Sequence, residues 1–174
     1  DLLGRTVSKF VPADDLIVPY NATSLEDAEA VIHRLKISEN ELRKQQVGGF
    51  YRDIELPKPY SQETEVEKKE RMLEGTKRTF NEDVYTLLEF HVNLDLEGFE
   101  DRGSDGAETG IKLPYIVTVE EGSREILSIR RNYEVADPKK QKIPYFVHFK
   151  FLPGLGFYGF GLIHMIGGLS RTAT

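Results

Sequence analysis

Between residues 84 and 152, apolar and polar side chains alternate in several short runs. The clearest run is LEFHVNLDL, residues 88–96, in which every second residue is apolar and the residues between are Glu, His, Asn and Asp. Successive side chains of a strand point to opposite faces, so this alternation is typical of a strand with one buried face. We expect its Leu, Phe and Val side chains to face a core, and Glu89 and His91 to lie on the polar face.

Further runs complete the predicted sheet. Residues 113–131 have the pattern of a hairpin, with Gly122-Ser123 as a two-residue turn. A last strand alternates between two sets of side chains, Tyr145, Val147, Phe149 and Phe151 on one side and Phe146, His148 and Lys150 on the other. The predicted fold class is therefore α+β: an antiparallel sheet of about four to six strands with helices packed on one face.

Two short helices are predicted ahead of this sheet. The run TSLEDAEAVIHRLKI begins with Thr23 and Glu26 at the spacing of a capping box, and its apolar residues recur at helical intervals. A second helix is expected to begin at Ser38 and to end at Gly48, because Ser is a favoured N-cap and Gly a favoured C-cap.

Two other segments carry weaker signals. Residues 7–11 and 16–18 are short apolar runs that can form strands, and the prolines beside them argue against central strands. Residues 58–80 form a charged excursion, of which 61–79 are predicted to be a helix with little apolar surface to bury. We interpret this helix as solvated or as a mobile linker, with a partner-contacting arm as the alternative.

Composition excludes several classes of function. The chain has 23 basic and 29 acidic residues, a net charge of −6, which disfavours a general phosphate-binding surface. It has no cysteine, which excludes disulfides, thiolate metal sites and cysteine nucleophiles. The sequence has no run of about 18 apolar residues, so no membrane span is predicted. The chain starts at Asp1 without a signal-peptide pattern, and we expect a fragment or a processed product.

The glycine-rich turn after the last strand is the first candidate site. Gly154, Gly156 and Gly159 have the GxGxxG spacing of a dinucleotide-binding loop. Three features argue against nucleotide binding: a proline opens the turn, the preceding strands are antiparallel, and no acidic ribose partner follows about 20 residues later. We interpret the turn as a structural joint between strand and helix, formed by Pro153, Gly154, Gly156, Phe157, Tyr158, Gly159 and Gly161.

The acidic loop, residues 95–108, is the second candidate. An EF-hand that begins at Asp101 places Gly103 at position 3 and Lys112 at position 12, where a bidentate Glu is needed. The calcium-binding match therefore fails. A solvated loop is the favoured interpretation, and an adventitious cation site is the alternative.

The histidines are the third candidate. His91 and His148 can be neighbours across the predicted sheet, and with Glu89 or Asp95 they can in principle hold a metal ion. Ordinary histidines on a sheet surface are the favoured interpretation. The alternative function is a small-ligand or metal-binding domain that uses Asp95, Glu97, His91 and His148. No GxSxG motif or isolated carboxylate pair predicts an enzyme, and no cofactor is expected.

Three segments together resemble one known protein family. In PYFVHFKFLPGLGFYGFGLIHMIGGLSRTAT, residues 144–174, a strand rich in phenylalanine leads through a Gly-Phe-Tyr-Gly-x-Gly-Leu turn into a helix that begins His-x-x-Gly-Gly. This segment resembles the portal proteins of short-tailed and related tailed bacteriophages. The run VPADDLIVPYNATSLEDAEAVIHRLKISENELRK is similar to the part of portal proteins that precedes the sheet, and VYTLLEFHVNLDLEGFED is similar to the strand that follows the charged excursion. The charged excursion carries little of the resemblance.

This resemblance implies a structural subunit with no enzymatic activity and no cofactor. Portal subunits form a ring, usually of twelve, at one capsid vertex of the virion, through which double-stranded DNA is packaged and ejected without sequence-specific binding. Residues 1–157 would form the outer wing region, and residues 158–174 the start of the stem helix that lines the channel. The implied partners are further copies of the chain, terminase, the capsid or scaffold, and head–tail adaptor proteins. No membrane contact is implied, and assembly would take place in the host cytoplasm.

Overall fold

The computed structural model describes residues 8–59, 84–103, 105–154 and 156–161, together with the isolated positions 69, 72, 73, 166, 167 and 172. Most of the predicted helix at 61–79 and of the predicted helix start at 158–174 lies outside the described residues. Within these ranges, five strands and one α-helix form an α+β fold, which confirms the predicted class. No helix in these ranges has the length and apolar character that crossing a membrane requires.

The strands follow one another across a single antiparallel sheet in the order β1-β2-β3-β4-β5. In chain order the elements are a 3-10 turn at Ala13–Asp15, β1 at Leu16–Ile17, β2 at Ala30–Ser38, α1 at Glu39–Val47, β3 at Val84–Leu94, β4 at Leu113–Glu120 and β5 at Ile126–Arg131. Each strand therefore pairs with the next strand along the chain. Of the run predicted as a strand at 7–11, the described residues 8–11 are irregular.

The prediction of a helix after Thr23 was wrong, because this part of the chain contains β2. All nine residues of β2 pair with β3, from Ala30 opposite Val92 to Ser38 opposite Val84. Thr23 does not cap a helix: its backbone N–H and hydroxyl both donate to the Asp27 carboxylate, and this hydroxyl hydrogen bond is the largest cause that lowers the pKa of Asp27. Pairing with a distant strand thus overrides a local helical pattern.

The second predicted helix is confirmed as α1. The Ser38 hydroxyl accepts a hydrogen bond from the Glu41 backbone N–H at 3.4 Å, as an N-cap does. The helix stops at Gly48, and Gly49 follows at φ 74°. Residues 23–29 form turns and bends ahead of β2, so of the expected pair of N-terminal helices only the second, α1, is present.

β3 is a strand as predicted, but the more deeply buried face is the one expected to be polar. Leu87 is completely buried and His91 is 4% exposed, whereas Leu88 and Phe90 on the opposite face are only half-buried. We call the face that carries Leu87, Glu89 and His91 the covered face. Its main apolar cluster joins the sheet to α1 and to the segment after it through Leu42, Tyr51, Tyr85, Leu87 and Leu127.

The hairpin of β4 and β5 is confirmed, but its turn is longer than the two residues predicted. Five residues, 121–125, connect the strands, and Arg124 adopts φ 60°. The carboxylate of Glu120 accepts hydrogen bonds from the backbone N–H groups of Gly122 and Ser123. The longer turn leaves these backbone N–H groups to be satisfied by the Glu120 carboxylate, which a tight two-residue turn would not require.

The last predicted strand, residues 145–151, is not part of the sheet. We call residues 143–151 the strap. It starts beside the end of β5, where the Ile143 N–H donates to the Asn132 carbonyl at 3.0 Å. It then passes over the covered face, where the Phe146 ring packs 5.5 Å from His33 and 4.9 Å from His91. Packing of Phe146 against these rings, instead of strand pairing, holds the segment.

Candidate functional site

The glycine turn, residues 152–160, is a closed loop at the end of the strap. Leu152 and Phe160 form an isolated antiparallel bridge, and the Phe160 N–H donates to the Leu152 carbonyl at 2.9 Å. The bridge brings the two ends of the turn together, so the chain leaves the turn close to where it entered.

Two glycines permit this close approach of the backbone. A Cβ on Gly159 would lie 2.6 Å from the Leu152 carbonyl oxygen, and a Cβ on Gly154 would lie 2.8 Å from the Tyr158 carbonyl oxygen. Both distances are shorter than any normal contact. A Cβ on Gly156 would meet no atom within 4 Å. Gly159 does not adopt the left-handed backbone conformation, so lack of space and not positive φ requires glycine there.

Two side chains fasten the turn to the rest of the domain. The Tyr158 hydroxyl donates to the Leu16 carbonyl of β1 at 2.8 Å. The Lys150 ammonium donates to the carbonyls of Thr23 and Gly156, both at 3.3 Å. The turn is therefore held against the first strand and the turn that precedes β2.

A buried aromatic ring fills the inside of the turn. Phe157 is 5% exposed and stacks on the His148 ring with 4.2 Å between ring centroids and an interplanar angle of 23°. Burial, followed by the charge of Lys150, lowers the pKa of His148. The neutral imidazole that results suits a stacked apolar environment.

The seven residues predicted to form the joint do not contribute equally. Gly154, Gly159, Phe157 and Tyr158 make the close approaches and packing contacts, and Gly156 supplies a carbonyl acceptor. Pro153 and Gly161 are exposed at the two ends. Sequence reasoning did not identify Lys150 and Leu16, because their contacts join distant parts of the chain. Lys150 is 127 residues from its acceptor Thr23, and Leu16 is 142 residues from its donor Tyr158.

Adding one methyl group at Gly159 should open this turn. We expect Gly159→Ala to increase the hydrogen-exchange rate of the Phe160 amide and to cost about 1–3 kcal/mol of local stability, as overpacking does. Gly156→Ala is the matched control, since its Cβ meets open space. Equal exchange rates at Phe160 in the two variants, measured by NMR, would contradict the assignment of Gly159 as the close-contact residue.

A groove of about 1260 Å³ runs between the strap and the residues that precede β2. His91 and His148 both line it. Burial lowers the pKa of His91 to about 4, so this imidazole is neutral at pH 7. Asp95 and Glu97 do not line the groove. Among the described residues, no three His, Asp or Glu side chains lie close enough to hold a metal ion.

The acidic loop is organised by contacts within the chain. The Asp101 carboxylate accepts hydrogen bonds from the Lys140 ammonium and, at 2.7 Å, from the Thr109 hydroxyl. These two contacts lower the pKa of Asp101. Arg102 and Glu108 face each other in an isolated bridge with their side chains 3.3 Å apart. Asp101, the start of the rejected calcium loop, is thus already satisfied by a lysine.

The covered face also holds a charged cluster that sequence reasoning did not identify. Glu89 lies 3.3 Å from His33 Nδ1 and 3.4 Å from an Arg130 guanidinium nitrogen. Burial alone would raise the pKa of Glu89, but the hydrogen bond from His33 and the charge of Arg130 outweigh it and lower that pKa. The Arg130 guanidinium also lies 4.3 Å from the centroid of the Phe50 ring. Sequence reasoning could have found this cluster only from the strand register that places Glu89 opposite His33. That register can be inferred only once β2 is known to be a strand.

Comparison with models of known protein families, with curated proteins and with solved structures finds no match to this chain.

Proposed function

We propose that this chain is a structural subunit of a bacteriophage portal ring, the channel at one capsid vertex through which DNA is packaged and ejected. The resemblance of residues 144–174 to portal proteins supports the proposal. The observation that carries it furthest is the anchored glycine turn. The GFYGFG run that bears the resemblance is held to β1 through Tyr158 and closed by the bridge between Leu152 and Phe160.

Such an anchored turn suits a joint between a peripheral sheet and a channel helix. A helix that leaves the sheet at a fixed point keeps its direction relative to the sheet, and a ring of subunits needs this direction to be the same in each copy. In this proposal residues 1–157 form the wing region, and residues 158–174 begin the stem. Terminase, the capsid or scaffold, and head–tail adaptor proteins are the partners of the assembled ring.

The charge of the chain is compatible with this role. A net charge of −6 does not favour tight binding of DNA phosphates, and a channel through which DNA slides requires weak contacts. The wing lies mostly outside the channel, so we do not assign this charge to the channel wall. The proposed role requires no catalytic group and no cofactor.

Assembly of the complete protein tests this proposal. We expect the complete open reading frame that encodes residues 1–174, expressed and purified, to form closed rings with a central hole in negative-stain images. Native mass spectrometry should give one dominant stoichiometry, with twelve copies as the expected number. A protein that stays monomeric across concentration and salt would overturn the portal assignment.

Small-ligand binding is the second candidate, favoured by the placement of His91 and His148 in one groove. A ligand that binds only the folded state raises the melting temperature by mass action. We expect Zn²⁺ or inorganic phosphate to raise it if the groove is a binding site, and His91→Leu to abolish the rise. No change in melting temperature with either probe would eliminate this candidate for those ligand classes.

A further inference from the structure

The strap carries a row of exposed apolar side chains. Alternate residues have high exposed fractions: Tyr145 59%, Val147 95%, Phe149 90% and Phe151 70%, although the Tyr145 ring also contacts the His91 ring at 5.8 Å between centroids. The side chains between them, those of Phe146, His148 and Lys150, are half-buried. We call the four exposed side chains the apolar strip. Single exposed apolar residues are common, but four in one row mark an interaction surface.

The backbone of the strap is also open to pairing. Within the described part of the chain, residues 144–151 form no backbone–backbone hydrogen bond, although the segment has the alternating pattern of a strand. An extended segment with free N–H and C=O groups is a template for another chain. The strip and its backbone therefore offer apolar and hydrogen-bonding contacts along the same length.

The area of the apolar strip suits a protein partner. Three aromatic rings and a valine at these exposures present roughly 600 Å², and each partner in a stable complex contributes about 800 Å². The strip thus provides most of one side of a specific interface.

Charge along the chain indicates what that partner is. Residues 138–174 carry five basic and no acidic side chains. The remaining residues therefore carry 18 of the 23 basic and all 29 acidic side chains, a net charge of −11. The strap lies in this basic part of an acidic chain, although its own lysine, Lys150, already donates to two backbone carbonyls. Lys142, just before the strap, lines the groove beside the strip. A second copy offers the acidic surface that complements it.

The acidic loop is the surface of that second copy that fits best. Phe99 within the loop is 57% exposed and Ile111 just after it is 56% exposed. The loop, residues 95–108, has six acidic side chains and one basic side chain, and of the six Asp101 already contacts Lys140 of the same copy. Apolar side chains among the remaining carboxylates match an apolar strip with Lys142 at one end.

We propose that the apolar strip of one copy docks on the acidic loop of a second copy, in a head-to-tail contact. A two-fold contact of strip against strip would bring no acidic side chain to Lys142, because residues 138–174 carry none. A head-to-tail contact pairs opposite charges and can propagate into a ring. The identity of the partner as a second copy rests on the proposed function, and the choice of the two surfaces rests on exposure and charge.

Complementation between two variants of the 174-residue chain tests this contact. The strip variant is Val147→Ser with Phe149→Ser, and the loop variant is Phe99→Ser. All three side chains are exposed, so we expect the fold, checked by circular dichroism and melting temperature, to be retained. Phe10→Ser is the matched control, because Phe10 is equally exposed and lies outside both surfaces.

Sedimentation velocity measures the outcome. We expect the unmodified chain and the Phe10 variant to form species larger than the 19.9 kDa monomer, and the strip and loop variants each to be monomeric. An equimolar mixture of these two variants retains one intact strip and one intact loop, so it should give a species of twice the monomer mass and nothing larger.

Each contrary result overturns the proposal. An unmodified chain that is monomeric at roughly 100 µM has no such contact. A strip variant that assembles like the unmodified chain removes the strip from the interface, and a loop variant that does so removes the acidic loop. A mixture that stays monomeric shows that the two surfaces do not meet.

Failure of this inference can be told apart from failure of the proposed function. If the complete protein forms rings with a central hole and the strip substitutions leave them intact, the portal proposal stands and the interface proposal fails. If the complete protein associates through the strip and loop but forms open chains only, the interface proposal stands and the portal proposal fails.

Discussion

Replacement of Glu89 by leucine should lower the free energy of unfolding by about 2 kcal/mol, between the values for exposed and buried pairs, because the Arg130 guanidinium that loses its partner is 35% exposed. Glu89 is 17% exposed and joins Arg130 to His33 across three strands. The Arg130 Nε atom is already buried without a hydrogen-bond partner among the described residues. Without the carboxylate, the guanidinium would retain its contact with the Phe50 ring and lose this ion pair.

A double-mutant cycle separates the loss of the pair from the loss of the carboxylate itself. We expect Glu89→Leu with Arg130→Met to be more stable than Glu89→Leu alone, because no unpaired charge remains on the covered face. Glu125→Leu is the control: its ion pair with Arg52 is about half exposed on both sides and should contribute less than about 1 kcal/mol. Urea unfolding at pH 7 measures the unmodified chain, Glu89→Leu, Arg130→Met, the double variant and Glu125→Leu. A loss at Glu89 as small as the loss at Glu125 would contradict a structural role for the cluster.

Stability should also fall as the pH is lowered from 6.5 toward 4. Burial lowers the pKa of His91 from 6.5 to about 4, so the unfolded chain takes up a proton in this range while the folded chain does not. Stability from His91 is therefore fully present above pH 6.5 and is lost as the pH falls through this window. The expected loss is about 3 kcal/mol at most.

Charged groups near His91 also shift its pKa, and some of them contribute their own pH dependence of stability. Glu89 favours its protonation, and Lys142, His33 and Arg130 oppose it. The lowered pKa of Glu89 contributes stability that is lost only below its ordinary value of 4.5, so the two losses fall in largely separate ranges. The pKa of His148 is also lowered, and it acts in the same direction as His91.

Urea unfolding of the unmodified chain and of His91→Leu across this pH range checks the expectation. Leucine keeps an apolar contact with the Phe146 ring and removes the titrating group. We expect the pH dependence of the variant to be flatter between pH 6.5 and 4.5, whatever its absolute stability. Equal slopes for the two proteins would exclude His91 as the source.

The sequence alone determined those features that depend on neighbouring residues. The N-cap at Ser38 and the glycines after α1 are local signals, and the structure confirms the helix between them. The alternating runs at β3, β4 and β5 predicted strands because the period of a strand is visible in any short window. An antiparallel α+β fold followed from these runs together.

The tertiary structure decided which state a segment takes when its local pattern is ambiguous. Residues after Thr23 have helical spacing, but Ala30–Ser38 form β2 because nine pairs with β3 outweigh local preference. It also decided which face of β3 is covered. Alternation gives two faces and does not say which one other elements pack against. In the fold, Glu89 is partly buried beside His33 and Arg130, and His91 is buried against Phe146.

The glycine turn also has features that the sequence predicted and features that only the tertiary structure decided. Its composition predicted a crowded joint, but only the fold places the Gly159 backbone against the Leu152 carbonyl and the Tyr158 hydroxyl on β1. Likewise, the alternation of the strap predicted a strand, whereas in the fold Phe146 packs across the sheet and Tyr145, Val147, Phe149 and Phe151 are exposed. Local sequence specifies periodicity and caps, because these arise within a few residues. Face, partner and burial depend on contacts between distant residues, so they exist only once the chain has folded.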